Sequence, residues 1–221
     1  LTNVRGQAYT YDQNGNLTSD GDKTYIYNEE NQLTEVKDKT GTSLGKFTYD
    51  HEGKRTSMTT SAGTTNFHYN GDKVIAETDA NNAVTAEYTW DAQDNPVTMV
   101  KGGKTYYYHI NGHGDVTALT DENGNVVAEY QYDAWGNILS SSGTMKDANP
   151  YRYAGYRFDQ EIGLYYLIAR YYDSNVGRFL TKDSIHGVED DPGSLNQYVY
   201  SKNNPVKYID HSGHLPTPVA S

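Results

Sequence analysis

The stretch Tyr9-Thr10-Tyr11-Asp12-Gln13-Asn14-Gly15-Asn16-Leu17 sets the pattern for most of the chain. An aromatic-x-aromatic pair puts both rings on one face of a strand, because side chains alternate with period two. Asp12 then ends the strand and bonds to nearby backbone. Gly15-Asn16 supplies the positive φ that a hairpin turn needs, and Leu17 opens the return strand. The unit recurs at Tyr25-Ile26-Tyr27-Asn28, Phe47-Thr48-Tyr49-Asp50 and Tyr130-Gln131-Tyr132-Asp133, with weaker copies at Phe67-His68-Tyr69-Asn70 and Tyr88-Thr89-Trp90-Asp91. Second aromatics at 11, 27, 49, 69 and 90 stand 16, 22, 20 and 21 residues apart, so the period is near 20. Each repeat reads as one β-hairpin. A hairpin is not stable alone, so neighbours must pair into a continuous sheet.

Composition supports this reading. The 221 residues include 22 Tyr but only 4 Phe and 3 Met, with 21 Gly. A mean hydropathy of −0.84 would by itself suggest disorder. Tyrosine argues against it, since it favours strands and buries a large ring while keeping a polar tip. The net charge of −11 disfavours nucleic acid or an anionic membrane as the main partner of this segment, because both need a cationic face. There is no cysteine, hence no disulfide framework and no thiolate zinc site. No apolar run reaches the roughly 18 residues of a membrane span. The opening Leu1-Thr2-Asn3-Val4 reads as the start of a fragment rather than as a signal peptide.

Two turns, beginning at Asp12 and Asp121, resemble the front of a calcium loop. That loop also needs a bidentate Glu at its last position. Lys23 and Tyr132 stand there instead, so both are read as plain hairpin turns. His109 and His113 have metal-like spacing, but Asn111-Gly112 breaks it and the pair is read as structural. No cofactor and no metal are implied.

From Asn149 the pattern changes. Pro150 to Asp159 opens a tyrosine-dense stretch in which arginines alternate with aromatics, which suits cation–π stacking and ion pairs within a packed region. It continues through Gly163-Leu164-Tyr165-Tyr166-Leu167-Ile168-Ala169-Arg170-Tyr171-Tyr172-Asp173 and Gly177-Arg178-Phe179-Leu180-Thr181-Lys182-Asp183. Leu195, Tyr198 and Val199 at helical spacing, behind Ser194 as N-cap, predict one short helix near 194–202, stopped before Asn204-Pro205.

The hairpin unit resembles the tyrosine–aspartate (YD) repeats of Rhs proteins, and residues 150–214 resemble the Rhs repeat-associated core domain. The most specific part runs from Tyr165 to Asp183, with Asn203-Asn204-Pro205-Val206 and Asp210-His211-Ser212-Gly213-His214. The resemblance implies an all-β fold: tandem hairpins forming a curved, spiralling sheet over residues 1–148, closed by a core domain at 149–214 that carries one short helix, with 215–221 opening a variable C-terminal region. It implies a secreted or cell-surface bacterial polymorphic toxin, used in bacterial competition, whose shell encapsulates the C-terminal toxin.

In several members the core domain is an aspartic autoprotease that acts once on its own chain. Carried over, the essential Arg is Arg170, the catalytic carboxylates are Asp183 and Asp210, and the cut falls between His214 and Leu215. The chemistry needs such a set: one carboxylate activates water, the other protonates the leaving group, and an arginine holds a carboxylate charged or steadies the oxyanion. Here Ser184 and His211 stand where the family has proline, and His214 where it has leucine. Read from the residues alone, Asp183 and Asp210 are equally turn and ion-pair residues, and Arg170 a core guanidinium among tyrosines. The competing function is an extracellular module without catalytic activity, binding glycans or a cell surface through exposed aromatic rings. Rings turned inward favour a shell, and an exposed strip favours binding.

Overall fold

The computed structural model describes residues 1–185 and 195–219. The chain is nearly all-β. Fourteen strands, from Thr10–Tyr11 to Ile138–Ser142, pair strictly in sequence order as one antiparallel meander. The long sheet begins only at Thr10, because Asn3–Val4 and Gln7–Ala8 form their own two-stranded ribbon. A four-stranded sheet follows, made of Arg157–Asp159, Leu164–Leu167, Arg170–Asp173 and Arg178–Phe179.

The repeat works as its residues predict, with one refinement. At most of these turns the Asp or Asn side chain receives backbone N–H groups: Asp121 Oδ1 accepts from Asn123 and Asn125, and Asp133 Oδ1 from Trp135 and Asn137. Gly124 and Gly136 take φ of 79° and 92° there, which only glycine and a few polar residues adopt cheaply. The carboxylates of the calcium-like turns are thus spent on their own backbone. The strand register slips by one beside these turns, for example between Thr48 and Tyr49, as a bulged hairpin requires.

Both aromatics of each unit face inward. The first is buried, at Tyr25, Phe47, Phe67, Tyr88 and Tyr130, and the second packs against the same core. That second ring also latches neighbouring units. Tyr27, Tyr49, Tyr69 and Tyr132 donate their hydroxyls to the carbonyls of Leu17, Leu33, Arg55 and Val116, and Trp90 donates its indole N–H to Val74. Leu17, Leu33, Arg55 and Val116 each open the preceding return strand, and Val74 is the second residue of its strand.

A flat fourteen-stranded sheet would hold its outer strands about 60 Å apart. Here both ends reach the same small sheet. Leu17 N–H donates to the Leu180 carbonyl at 2.9 Å, and Tyr172 donates its hydroxyl to the Trp135 carbonyl at 2.8 Å, while Tyr172 pairs with Phe179. The long sheet therefore curls around the C-terminal segment. The small sheet is buried on both faces: Leu164, Tyr166 and Tyr171 meet the long sheet, while Tyr165, Leu167 and Tyr172 meet Tyr153, Trp135 and Tyr200. Arg55 locks the layers, fully buried and bidentate to Asp159, with its guanidinium over Tyr166 at 4.3 Å.

The short helix is not formed among the described residues. From Leu195 the chain runs as turns, a single bridge between Val199 and Arg178, and one 3₁₀ turn at Ser201–Asn203. The carbonyls of Gln197 and Tyr198 accept from Asp183 and Phe179, so this backbone pairs sideways instead of closing helical turns. Ser201, Lys202 and Asn203 all take positive φ, which excludes a right-handed helix. The N-cap Ser194 and the acidic loop at Glu189-Asp190-Asp191-Pro192 lie outside the described residues.

Candidate functional site

Three local structures converge on residues 210–214. The first is the tight hairpin between Leu164–Leu167 and Arg170–Asp173, turned by Ile168 at φ 59°. Ala169 N–H donates to the Ser212 carbonyl at 3.2 Å and docks the turn. Arg170, 4% exposed, leaves this turn and stacks its guanidinium 3.7 Å from the centre of the Phe179 ring. The second is the segment after Arg178–Phe179, where Asp183 is fixed by its N–H bond to Gln197. The third is Asp210, 1% exposed, whose N–H donates to the Tyr156 hydroxyl at 2.7 Å.

These elements bring all five expected residues together. Arg170 donates Nη2 to Asp183 Oδ2 at 2.8 Å, Nη1 to the Gln197 carbonyl at 2.8 Å, and Nε to the Gly213 carbonyl. Asp210 Oδ1 accepts the N–H groups of Gly213 at 2.9 Å and His214 at 3.1 Å, and the Ser212 hydroxyl at 3.2 Å. His214 Nδ1 lies 2.7 Å from Asp183 Oδ1. Leu215 is exposed, and its N–H points at the Ser212 hydroxyl at 3.4 Å. The backbone at 213–214 is therefore held by Asp210 through its amides and by Arg170 through a carbonyl. A cleft of about 650 Å³ opens beside Arg170, Asp183 and His214, walled opposite by the hairpin turns at Asn16, Asn31 and Gly53.

The carboxylates differ in charge behaviour. Burial pushes the Asp210 carboxyl up, and Arg170 and the local donors offset this only in part. Burial also opposes charge on Asp183, but His214, the Ile185 N–H and Arg170 outweigh it and hold the carboxyl below its ordinary value. Burial lowers Arg170 to about 10, against the pull of Asp183 and Asp210. One carboxyl inclined to hold a proton and one held charged, each bonded to His214, give the division that acid–base work requires.

Sequence reasoning missed the contact of His214 with Asp183, because it joins residues 31 positions apart. It also set His113 aside as structural, and a structural role is what it has. His113 bonds through both ring nitrogens, to Asp115 and to the Pro205 carbonyl. His109 bonds Thr120.

The family model described as Teneurin YD-shell matches residues 1–206, and the chain belongs to that family. Over 219 residues it is 45% identical to the tRNA3(Ser)-specific nuclease WapA of Bacillus spizizenii, covering 97% of this chain and 9% of that protein. Over 242 residues it is 27% identical to double-stranded DNA deaminase toxin A of Burkholderia cenocepacia, covering 93% of this chain and 17% of that protein. Among solved structures, the TcdB2-TccC3-Cdc42 crystal structure matches with a TM-score of 0.69 at 20% identity, covering 94% of this chain and 13% of that one. The Photorhabdus luminescens Tc holotoxin pore also matches at a TM-score of 0.69 and 20% identity, covering 97% of this chain and 13% of its own. These structures share the fold. The chain spans about a tenth of the WapA nuclease's length.

Proposed function

We propose that this chain is the closing part of a polymorphic-toxin shell, which encloses a toxin continuing beyond residue 221 and cuts itself from it. Residues 149–214 act as the Rhs repeat-associated core domain, and the whole protein works outside the producing bacterium or on its surface. Two relatives named as a nuclease and a deaminase toxin support the class of cargo. The inward-facing aromatic rings support a shell over a glycan-binding strip, since both rings of each unit pack against the core.

The observation that carries the cleavage reading is the grip on residues 213–214 by Asp210, Arg170 and Asp183. In this reading Asp183 activates a water that adds to the His214 carbonyl, Arg170 steadies the charge, and Asp210 supplies the proton that lets the Leu215 amine leave. Because the bond is held in place by its own chain, no substrate-binding entropy is lost at the step. The test is intact-mass determination of the protein with a tag beyond its C-terminus. Fragments divided between His214 and Leu215 are expected, at a rate independent of concentration. Asp183→Asn and Asp210→Asn should each abolish them, and Arg170→Ala should slow them. Chain left uncut after days with both carboxylates intact, also when His214 is replaced by leucine, would remove the reading.

A further inference from the structure

We propose that the His214 side chain is a brake on the site: it occupies the carboxylate that must act on its own peptide bond. This inference rests on the self-cleavage reading and adds a regulator to it.

Oδ1 of Asp183 is filled in this arrangement, and Oδ2 is turned to Arg170. Oδ2 accepts from Arg170 Nη2 at 2.8 Å, while Oδ1 accepts from the Ile185 N–H at 2.9 Å and from His214 Nδ1 at 2.7 Å. A charged carboxylate only accepts, so Nδ1 must carry the hydrogen of that short bond. Its other donors come from the frame of the site. Arg170 is buried beneath Phe179, and the Ile185 amide is part of the turn that holds Asp183. Among the described donors, His214 alone belongs to the segment to be cut, and its side chain is partly exposed at the cleft. A water approaching the His214 carbonyl needs a free lone pair on Asp183 to take its proton. The imidazole fills the Oδ1 position, the site on Asp183 that a side-chain rotation can open.

The grip is also self-reinforcing. Asp210 holds the His214 N–H, and Arg170 holds the Gly213 carbonyl, so the backbone carrying the imidazole cannot swing away without losing further bonds. Releasing the brake requires only a rotation of the His214 side chain into the cleft, leaving the backbone grip in place. A residue of similar bulk without a donor would free Asp183 permanently. A residue with an amide donor of similar reach would keep it occupied.

The experiment follows cutting over time in the tagged full chain for wild type, His214→Leu, His214→Gln and His214→Leu combined with Asp183→Asn. His214→Leu is expected to cut at the same bond about tenfold faster or more, a barrier change of about 1.4 kcal/mol. His214→Gln should stay near the wild-type rate, and the double variant should remain whole. Near-ultraviolet circular dichroism confirms that each variant is folded. If wild type cuts and folded His214→Leu cuts no faster, the brake is wrong while the self-cleavage reading stands. If His214→Gln cuts as fast as His214→Leu, the hydrogen bond is not the brake. If neither wild type nor His214→Leu ever cuts, the self-cleavage reading fails, and the brake with it.

Discussion

His113 Nε2 lies 2.7 Å from the Pro205 carbonyl oxygen, joining a turn of the long sheet to the segment that leads into Asp210. The other ring nitrogen lies 2.8 Å from Asp115 Oδ1, and Asp115 also receives the Ala154 N–H. Both nitrogens face acceptors, so both bonds form only when the ring is the doubly protonated imidazolium.

A pH dependence follows from that bridge. Burial opposes charge on His113, but Asp115 and the Pro205 carbonyl outweigh it and raise the group above its ordinary value. The stability it contributes is full below the unfolded pKa of about 6.5 and is lost as pH rises through the raised folded value. His113→Ala should cost about 1–3 kcal/mol at pH 6 and less at pH 9. Urea denaturation of both proteins at the two pH values checks it.

His211 acts in the opposite sense. Burial, with Lys73 nearby, lowers its pKa to about 4, and its ring packs edge-on against Tyr156. The unfolded chain takes up a proton near pH 6.5 that the folded chain refuses, so stability falls as pH drops from there towards 4. The loss approaches about 3 kcal/mol at the acid end. His211→Leu should flatten that limb of the stability profile, which thermal melts between pH 4 and 7 would read.

Tyrosine hydroxyls hold successive units in step. Tyr49 donates to the Leu33 carbonyl at 2.5 Å and meets the Tyr171 hydroxyl at 2.9 Å. Tyr49→Phe removes the hydroxyl's bonds to the Leu33 carbonyl and to Tyr171 and should cost about 1–3 kcal/mol. Tyr107 is 43% exposed, and Tyr107→Phe should change stability by no more than about 0.5 kcal/mol. Equal effects for the two variants in denaturant titrations would remove the latch from the account.

Arg55 carries more. Arg55→Ala removes both hydrogen bonds to Asp159, itself fully buried, leaving it only the longer approach of Arg157 Nε at 3.4 Å among the described ion pairs, and should cost about 3–5 kcal/mol. Lysine should not rescue it, because the pair is bidentate and the guanidinium is stacked on Tyr166. A lysine variant as stable as wild type in guanidinium titrations would show that charge alone suffices.

The long sheet was legible because its signal is local. Ring positions of period two and an Asp-x-x-Gly turn are complete within one unit, and Tyr25, Phe47 and Tyr130 fall inward as that period requires. The region around 195–203 was misread for the converse reason. Leu195, Tyr198 and Val199 have helical spacing, but the Gln197 carbonyl is claimed by Asp183 and Arg170 from elsewhere in the chain. The carboxylates and Arg170 were legible only through the resemblance, since nothing in their spacing distinguishes them from turn residues. The imidazole of His214 on Asp183 was invisible, because it exists only after the chain has returned on itself.

Gly213 offers a test of how far the site's geometry matters apart from its chemistry. It takes φ 76°, and a Cβ there would stand 2.5 Å from the Leu167 carbonyl oxygen and 3.1 Å from the Arg170 nitrogen. Both neighbours are backbone atoms of the hairpin that carries Arg170, so neither can yield without moving the arginine. Gly213→Ala must therefore lift residues 210–215 off that hairpin, breaking the bonds from Gly213 to Asp210 and Arg170. The long sheet and its tyrosine latches do not depend on this contact. The expected result is a melting temperature lowered by no more than about 10 °C, with faster proteolysis near residue 213 and no self-cleavage even when His214 is also replaced by leucine. A Gly213→Ala chain that keeps wild-type proteolytic resistance around residue 213 would show that the close approach to Leu167 is not what holds the segment.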